Sequence, residues 1–186
     1  MRNKSTVYDS MYRFDTPESS YILGLTHAEA TITQNSLSIE INTEDGKSIE
    51  STLDKCGQWL KYYRQRENWK PVTDYRLNSR ELIVHLDNIF NIYKSELYIK
   101  TNEVLSIHSP HLFIRGLFDG DGNWYYHSKN YVRTFTLAAP YEFEWDSFLP
   151  LIPKVKFNIS YKTSKKGHKS SSIRVSNKSD ITKLYD

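Results

Sequence analysis

Apolar and polar residues predict one order of elements in the first half of the chain and repeat it in the second. Thr16-Pro17 is typical of a helix start, because threonine is a favoured N-cap and proline fits the first helical position. Alternating apolar residues further along predict strands. The predicted elements are a helix from Thr16, a hairpin around Asn35-Ser36, a helix over 45–58, strands over 59–66 and 72–77, and a helix over 79–88.

The second half begins after a less regular stretch, with Ser109-Pro110 as the same kind of helix start. Its clearest two-faced strand covers 155–161, because apolar and polar residues alternate there without a break. The predicted elements are a helix from Ser109, strands over 123–128 and 132–138, a helix over 141–149 that Pro150 ends, strands over 155–161 and 172–176, and a last helix opened by Ser179-Asp180.

The first predicted helix of each half contains the same ten-residue pattern, at 21–30 and at 113–122. Within each copy, small residues stand four positions apart: Gly24 with Ala28, and Gly116 with Gly120. On a helix such residues share one face and allow a second backbone to come close. The pattern therefore predicts that these two helices pack directly against each other.

An acidic residue follows the small positions in each copy, Glu29 in the first and Asp121 in the second. If the helices cross face to face, the carboxylates meet at the two C-terminal ends. The helix dipole disfavours negative charge there, and each carboxylate disfavours the other. A cation between them would remove this penalty, and magnesium or calcium ions prefer oxygen ligands. The sequence thus predicts a divalent metal site.

Charge is unevenly distributed along the 186 residues. The net charge is +3, but residues 151–186 contain nine Lys or Arg and two Asp, which gives +7 and leaves −4 for the first 150. A basic segment of this kind indicates a polyanionic partner such as nucleic acid. A solvated, flexible lysine loop explains the same residues equally well.

The chain has one cysteine, Cys56, so no internal disulfide can form and a buried thiol is expected. Its apolar runs are shorter than the roughly 20 residues of a membrane helix, and no apolar signal core follows the N-terminus. We therefore expect a soluble, intracellular protein that is not secreted.

The stretch from Phe113 to Gly122 closely matches one known motif, and with it the chain resembles the LAGLIDADG homing endonuclease family, as a single chain with two motifs. The first copy departs from the motif at His27, where an acid is usual, and at Ala30, where glycine is usual. From the sequence alone, His27 is interpreted as a partly exposed residue at a tolerant position.

The resemblance implies an α+β fold of two pseudo-symmetric αββαββα halves, which pack through the motif helices. Each half would carry a curved four-stranded antiparallel sheet, and the two sheets would form a DNA-binding saddle. The implied division is an N-terminal tail over 1–15, a first half over 16–88, a linker over 89–108 and a second half over 109–186.

The resemblance also implies hydrolysis of a phosphodiester on each DNA strand. Glu29 and Asp121 would bind Mg²⁺, or Mn²⁺ or Ca²⁺ as substitutes, with Ala28 and Gly120 as further positions of the metal site. A basic side chain would assist each half: Lys61 or Arg64 in the first and Lys156 or Lys162 in the second, with Lys61 and Lys156 as the assigned catalytic residues. Each of these cations is also explained by an ordinary phosphate contact.

Polar strand faces would contact double-stranded DNA, with lysines of one loop gripping phosphates. The residues assigned to DNA binding are Ser38, Glu40, Asn42, Arg64, Gln65, Arg66 and Arg76 in the first half, and Asn158, Ser160, Lys162, Lys165, Lys166 and Arg174 in the second. Two alternatives remain beside the endonuclease: a DNA-binding protein on the same scaffold that does not cleave, and an RNA-binding intron maturase. Because one chain carries both motifs, a monomer suffices.

Overall fold

The computed structural model describes residues 5–65, 67–90, 106–127, 132–140, 143, 145–152 and 154–184. Within these ranges the chain is α+β, as predicted. The helices are α1 (Ser10–Arg13), α2 (Pro17–Glu29), α3 (Thr43–Asp54), α4 (Arg80–Phe90), α5 (Pro110–Asp121), α6 (Trp145–Phe148), a 3-10 helix (Leu149–Leu151) and α7 (Lys178–Lys183). The strands are β1 (Ala30–Ile32), β2 (Leu37–Asn42), β3 (Leu60–Arg64), β4 (Val72–Leu77), β5 (Gly122–His127), β6 (Val132–Pro140), β7 (Asn158–Thr163) and β8 (Lys169–Val175).

The strands form two four-stranded antiparallel sheets with the same topology. The first has the order β1-β2-β4-β3, and the second has the order β5-β6-β8-β7. In each half the first strand follows directly from the motif helix, α2 or α5, so the sheet begins where the motif ends. The predicted two-half architecture is therefore confirmed.

The two motif helices begin in different ways. The Thr16 side chain accepts a hydrogen bond from the Ser19 amide, and Ser19 returns one to the Thr16 backbone, which forms a complete capping box. Ser109 makes no such side-chain bond, although Pro110 occupies the first turn as predicted. Instead, the Ser109 amide donates to the Ser20 hydroxyl at 3.2 Å. The start of the second motif helix is thus tied to the first.

The core lies between the helices and one face of each sheet. Apolar residues of β2 and β4 such as Ile39, Tyr75 and Leu77 are fully buried, and α3 packs close enough that a Cβ on Gly46 would touch the Tyr75 ring. Cys56 is also buried, as expected for a structural thiol. None of the helices among the described residues is long and apolar enough to cross a membrane.

Four local predictions differ from the structure. The helix predicted over 141–149 is shorter, since Phe143 lies outside any helix, α6 has four residues, and the 3-10 helix contains Pro150; residues 141, 142 and 144 lie outside the described ranges. Strand β7 begins at Asn158, not at residue 155. The cap of α7 is Asn177, whose side chain accepts from the Ser179 amide, and not Ser179. The assigned tail contains α1, and its Met11 is fully buried.

Candidate metal centre and nucleic-acid interface

Gly24 and Gly116 lie where α2 and α5 cross, and each replaces a side chain by backbone contact with the other helix. A Cβ on Gly24 would overlap the carbonyl oxygen of Phe113 and lie 3.0 Å from the Leu117 amide nitrogen. A Cβ on Gly116 would overlap the carbonyl oxygen of Tyr21 in the same way. The predicted close packing of the motif helices is confirmed, and it depends on glycine at both positions.

This crossing brings the ends of the two motifs together. A Cβ on Gly120 would overlap the Ala28 side chain and lie 3.0 Å from Cγ of Glu29, so Glu29 projects beside the last turn of α5. Asp121 follows Gly120 directly in that turn. The two carboxylates therefore face a common space at the C-terminal ends of both helices.

Electrostatics supports this placement. Partial burial raises the pKa of Glu29. Burial, and secondarily the negative charge of Glu29, raise the pKa of Asp121 to about 6. Both groups are still reached by solvent. Two carboxylates whose charged forms are disfavoured, and which interact with each other, are the arrangement that a bound cation relieves.

The donors fit a hard divalent cation. Mg²⁺ and Ca²⁺ bind carboxylate, carbonyl, phosphate and water oxygens, and Mg²⁺ often takes only one or two protein carboxylates. Ala28 and Gly120 belong to the last helical turns, where carbonyl oxygens lack intrahelical partners. Among the described residues no group of three or more His, Cys, Asp or Glu forms a closed metal cage. The site therefore suits an ion whose shell is completed by water and by the phosphate of a nucleic acid.

Asp119, the other acid of the second motif, is held away from this role. Its carboxylate accepts a hydrogen bond from the Tyr21 hydroxyl at 3.1 Å and pairs with Arg115 at 2.9 Å. Burial, followed by the charge of Asp119, raises the pKa of Tyr21, so the phenol remains protonated and able to donate. Asp119 braces α5 against α2, which matches the structural role expected from the sequence.

The interpretation of His27 as a partly exposed residue is wrong. Its side chain is 7% exposed and lies edge-on to the rings of Phe90 and Phe113, with centroid distances of 5.4 and 5.3 Å. Nδ1 donates to the Leu23 carbonyl oxygen at 2.9 Å. Burial lowers the pKa of His27 to about 4, so the ring is neutral at pH 7. His27 is part of the packed interface between the motif helices and not a metal or DNA ligand.

Lys61 does not lie beside the carboxylates. The row Ala30–Ile39–Tyr75–Lys61 crosses the whole first sheet, which places Lys61 three strands, or about 14 Å, from the end of α2. It shares the helix-covered face of the sheet with Tyr75 and pairs with Glu50 of α3 at 3.1 Å. The structure thus assigns Lys61 a contact with α3 and brings it into no contact with Glu29 or Asp121.

The other three candidate cations also lie far from the motif ends. Arg64 and Lys162 are on β3 and β7, the strands farthest in each sheet from β1 and β5. Lys156 is exposed and precedes β7. A catalytic role for Lys156 stays a prediction, and so does the choice between it and Lys162.

The strand pairing separates a polar face in the first sheet from the buried one. Ser38 is opposite Arg76, and Glu40 and Tyr62 are both opposite Asp74, so these five residues point to the same side. Arg64 lies on this side as well, on the same edge strand as Tyr62. We call this set, Ser38, Glu40, Tyr62, Arg64, Asp74 and Arg76, the first polar face.

The second sheet has a corresponding polar face. Asn158 is opposite Arg174, and Arg174 is opposite Thr136. The Ser160 and Ser172 hydroxyls are 2.9 Å apart across the same pair of strands. We call this set, Asn123, Thr136, Asn158, Ser160, Lys162, Ser172 and Arg174, the second polar face. Lys165 and Lys166 occupy the exposed β7–β8 turn, where Gly167 has a φ of 82°.

Most residues assigned to DNA binding therefore share one of the two polar faces, with three exceptions. Arg66 lies outside the described residues. The Asn42 side chain caps α3 by accepting from the Glu44 amide at 3.0 Å. The Gln65 amide group donates to the Trp69 carbonyl oxygen at 2.8 Å, in the β3–β4 connection. These contacts give Asn42 and Gln65 structural roles that the sequence did not indicate.

Sequence reasoning missed Asp74 and Tyr62. The Asp74 side chain is 3% exposed and lies between two arginines, 2.6 Å from Arg76 and 3.6 Å from Arg64. The Arg76 guanidinium also stacks 5.2 Å from the Tyr62 ring centre. The only available signal was the alternation of β4, which places Asp74 and Arg76 two residues apart and so on one face.

No protein-family model and no curated protein matches the sequence. Solved structures do match in fold. The homing endonuclease I-WcaI bound to its DNA recognition sequence is 17% identical, with a TM-score of 0.57 over 94% of this chain and 83% of that one. I-DmoI in complex with DNA and Ca is 12% identical, with a TM-score of 0.50 over 91% and 87%. Full-length DUF199/WhiA from Thermatoga maritima is also 12% identical, with a TM-score of 0.51 over 96% of this chain and 60% of that one.

Proposed function

We propose that this chain, which has the two-half LAGLIDADG fold, is a site-specific endonuclease that cuts both strands of DNA with a divalent metal. The observation that carries the proposal is the meeting of Glu29 and Asp121 at the ends of two glycine-packed helices. Each of these helices runs directly into a sheet with a polar face. A DNA-cleaving protein needs this combination of a metal site and a surface for the duplex.

Glu29 and Asp121 would hold the metal from the two halves, with the carbonyl oxygens of Ala28 and Gly120 at the same helix ends. A divalent cation bound there supplies charge neutralisation at the scissile phosphates and lowers the pKa of an attacking water. The glycine crossing fixes the separation of the two carboxylates, because neither helix can shift without breaking backbone contact. The polar faces would set where along the duplex the carboxylates act.

Selection from a randomised duplex library tests the proposal for any target sequence. Duplexes are selected for binding in Ca²⁺, and the selected DNA is then incubated with the protein in Mg²⁺ or Mn²⁺. Double-strand cuts at one position are expected. Glu29→Gln and Asp121→Asn should each abolish cutting and retain binding, since removal of a negative charge does not weaken contact with phosphates. Cutting that persists in both variants would contradict the metal assignment.

Asp119→Asn is the matched control, because Asp119 lies in the same turn but pairs with Arg115 and Tyr21. This variant should still cut DNA. Loss of activity in Asp119→Asn as well as in Asp121→Asn would indicate that any acid at the end of α5 matters for folding, and the specific role of Asp121 would fall.

A second candidate is a DNA-binding protein that does not cleave. It is favoured by one observation: Lys61, assigned to catalysis, pairs with Glu50 on the far strand and is not beside the carboxylates. Selection of a defined duplex with no cutting in Mg²⁺ or Mn²⁺ would support this candidate. Tight magnesium-dependent binding of intron RNA in preference to duplex DNA would argue against both.

A further inference from the structure

We propose that Asp74 is a positioning residue for sequence recognition, which holds Arg76 in a fixed orientation so that its guanidinium reads a guanine in the first half-site. The proposal rests on the proposed function, in that it requires binding to duplex DNA. It assigns a role to a carboxylate that lies away from the metal centre and that no motif includes.

Arg76 is held from two directions. Its Nη2 donates to the Asp74 carboxylate at 2.6 Å, and its guanidinium lies 5.2 Å from the centre of the Tyr62 ring. The arginine side chain is nevertheless 39% exposed. A guanidinium that is both fixed and accessible loses little freedom on binding, and it can present its fork of donors to the two acceptors on the major-groove edge of guanine.

Asp74 is a poor choice if stability alone is considered. Its side chain is 3% exposed, and among the described residues its buried Oδ1 has no hydrogen-bond partner. A buried carboxylate with one unsatisfied oxygen is costly, and buried ion pairs are weak evidence for stability. The cost is explained if the carboxylate is retained to orient its neighbours. Arg64 is oriented by the same group, since it pairs with Glu40 and lies 3.6 Å from Asp74.

The second half provides an internal comparison. The row through Ala30, Ile39 and Tyr75 corresponds to the row through Gly122, Leu137 and Ile173, because both begin one residue after the motif acid. With this register, Arg76 corresponds to Arg174, and Asp74 corresponds to Ser172. The arginine is thus present in both halves, but the adjacent carboxylate is present only in the first. We infer that Arg76 discriminates between bases more sharply than Arg174 does.

The test compares binding variants by selection from a randomised duplex library in Ca²⁺, followed by competition with duplexes that carry one changed base pair. The wild type should prefer one guanine in the first half-site by roughly 10-fold. Asp74→Asn and Asp74→Ser should reduce this preference to about 2-fold, and Arg76→Lys should reduce it similarly, because lysine keeps the charge but lacks the fork. The salt dependence of binding to unselected DNA should stay unchanged or rise slightly, since no phosphate contact is removed.

These signs separate positioning from a folding defect. A partly unfolded variant binds all DNA less well, whereas the proposal expects unselected DNA to bind at least as tightly while the preference disappears. Thermal unfolding of each variant checks that the fold is retained. The reciprocal variant Ser172→Asp supplies the missing carboxylate beside Arg174, and it should create or sharpen a preference at the symmetry-related position of the second half-site.

An unchanged preference in Asp74→Asn, with the fold intact, would overturn the positioning role and leave the proposed function standing. Reduced binding to every duplex, with the preference unchanged, would also overturn it. If the wild type selects no duplex at all, the proposed function fails first, and the positioning role fails with it.

Discussion

The crossing of α2 and α5 makes a sharp prediction about Gly24. Substitution by alanine places a Cβ that overlaps the Phe113 carbonyl oxygen, 2.8 Å from the carbonyl carbon and 3.0 Å from the Leu117 amide nitrogen. All three atoms are backbone, so no side-chain rotation can make room. Ordinary packing of such atoms requires about 3.5 Å or more, and the helices would have to separate by roughly 1 Å.

The cost follows from two opposing effects. Overpacking of a well-packed interface costs about 1–3 kcal/mol, and the upper end applies here because the obstacle is backbone. Alanine is a better helix former than glycine by about 1 kcal/mol, which offsets part of this cost. We expect Gly24→Ala to lower the free energy of unfolding by about 2 kcal/mol, which corresponds to a fall in Tm of about 4–8 °C for a chain of this size.

Gly46→Ala is the matched control, since Gly46 also lies inside a helix. Its added Cβ would lie 2.7 Å from the Tyr75 hydroxyl, the far end of a side chain that can move, so we expect a change within about 1 kcal/mol. Urea and thermal unfolding of the two variants and the wild type measure the difference. If Gly24→Ala is as stable as Gly46→Ala, the backbone contact between the motif helices is not as described.

Three further outcomes follow from charge and burial. Because burial lowers the pKa of His27 to about 4, the unfolded state takes up its proton first; stability is complete above about pH 6.5 and falls by up to about 3 kcal/mol as the pH drops to 4, and this loss should be missing from the urea unfolding of His27→Leu. Burial and then Glu29 raise the pKa of Asp121 to about 6, so Glu29→Gln should lower the Asp121 pKa in an NMR titration of the metal-free protein; no change would show that the carboxylates do not interact. Lys55→Ala should change the unfolding free energy by less than about 1 kcal/mol, because the ion pair of Lys55 with Glu18 is exposed.

The order of the elements could be predicted from local patterns alone. Strand β4 (Val72–Leu77) has the predicted bounds, because its apolar residues alternate and turn residues flank it. The helix start at Thr16-Pro17 was equally clear, since both residues favour the positions they occupy. Such features depend on a few neighbouring residues and not on tertiary contacts.

The face of a strand was harder to predict where both of its sides are polar or aromatic. Strand β3 reads Leu-Lys-Tyr-Tyr-Arg, and both faces of this edge strand are largely exposed. Only the pairing of Lys61 with Tyr75 shows that Lys61 lies on the side of α3, and only the pairing of Tyr62 with Asp74 places Tyr62 beside Arg76. Register between distant strands is a property of the assembled sheet, so neither the role of Lys61 nor the importance of Asp74 could be read from sequence.

The two halves share a fold but differ in how their polar faces are charged. On the first polar face, Glu40 and Asp74 balance Arg64 and Arg76, so its formal charge is zero. The second polar face has cations and no acid, and the lysines of the β7–β8 turn extend it. Uncompensated cations give affinity that depends on salt and not on sequence, whereas fixed and neutralised arginines give little affinity but discriminate between bases. A division of labour between the halves therefore follows, with the second half supplying most of the grip on phosphate and the first half supplying more of the sequence preference.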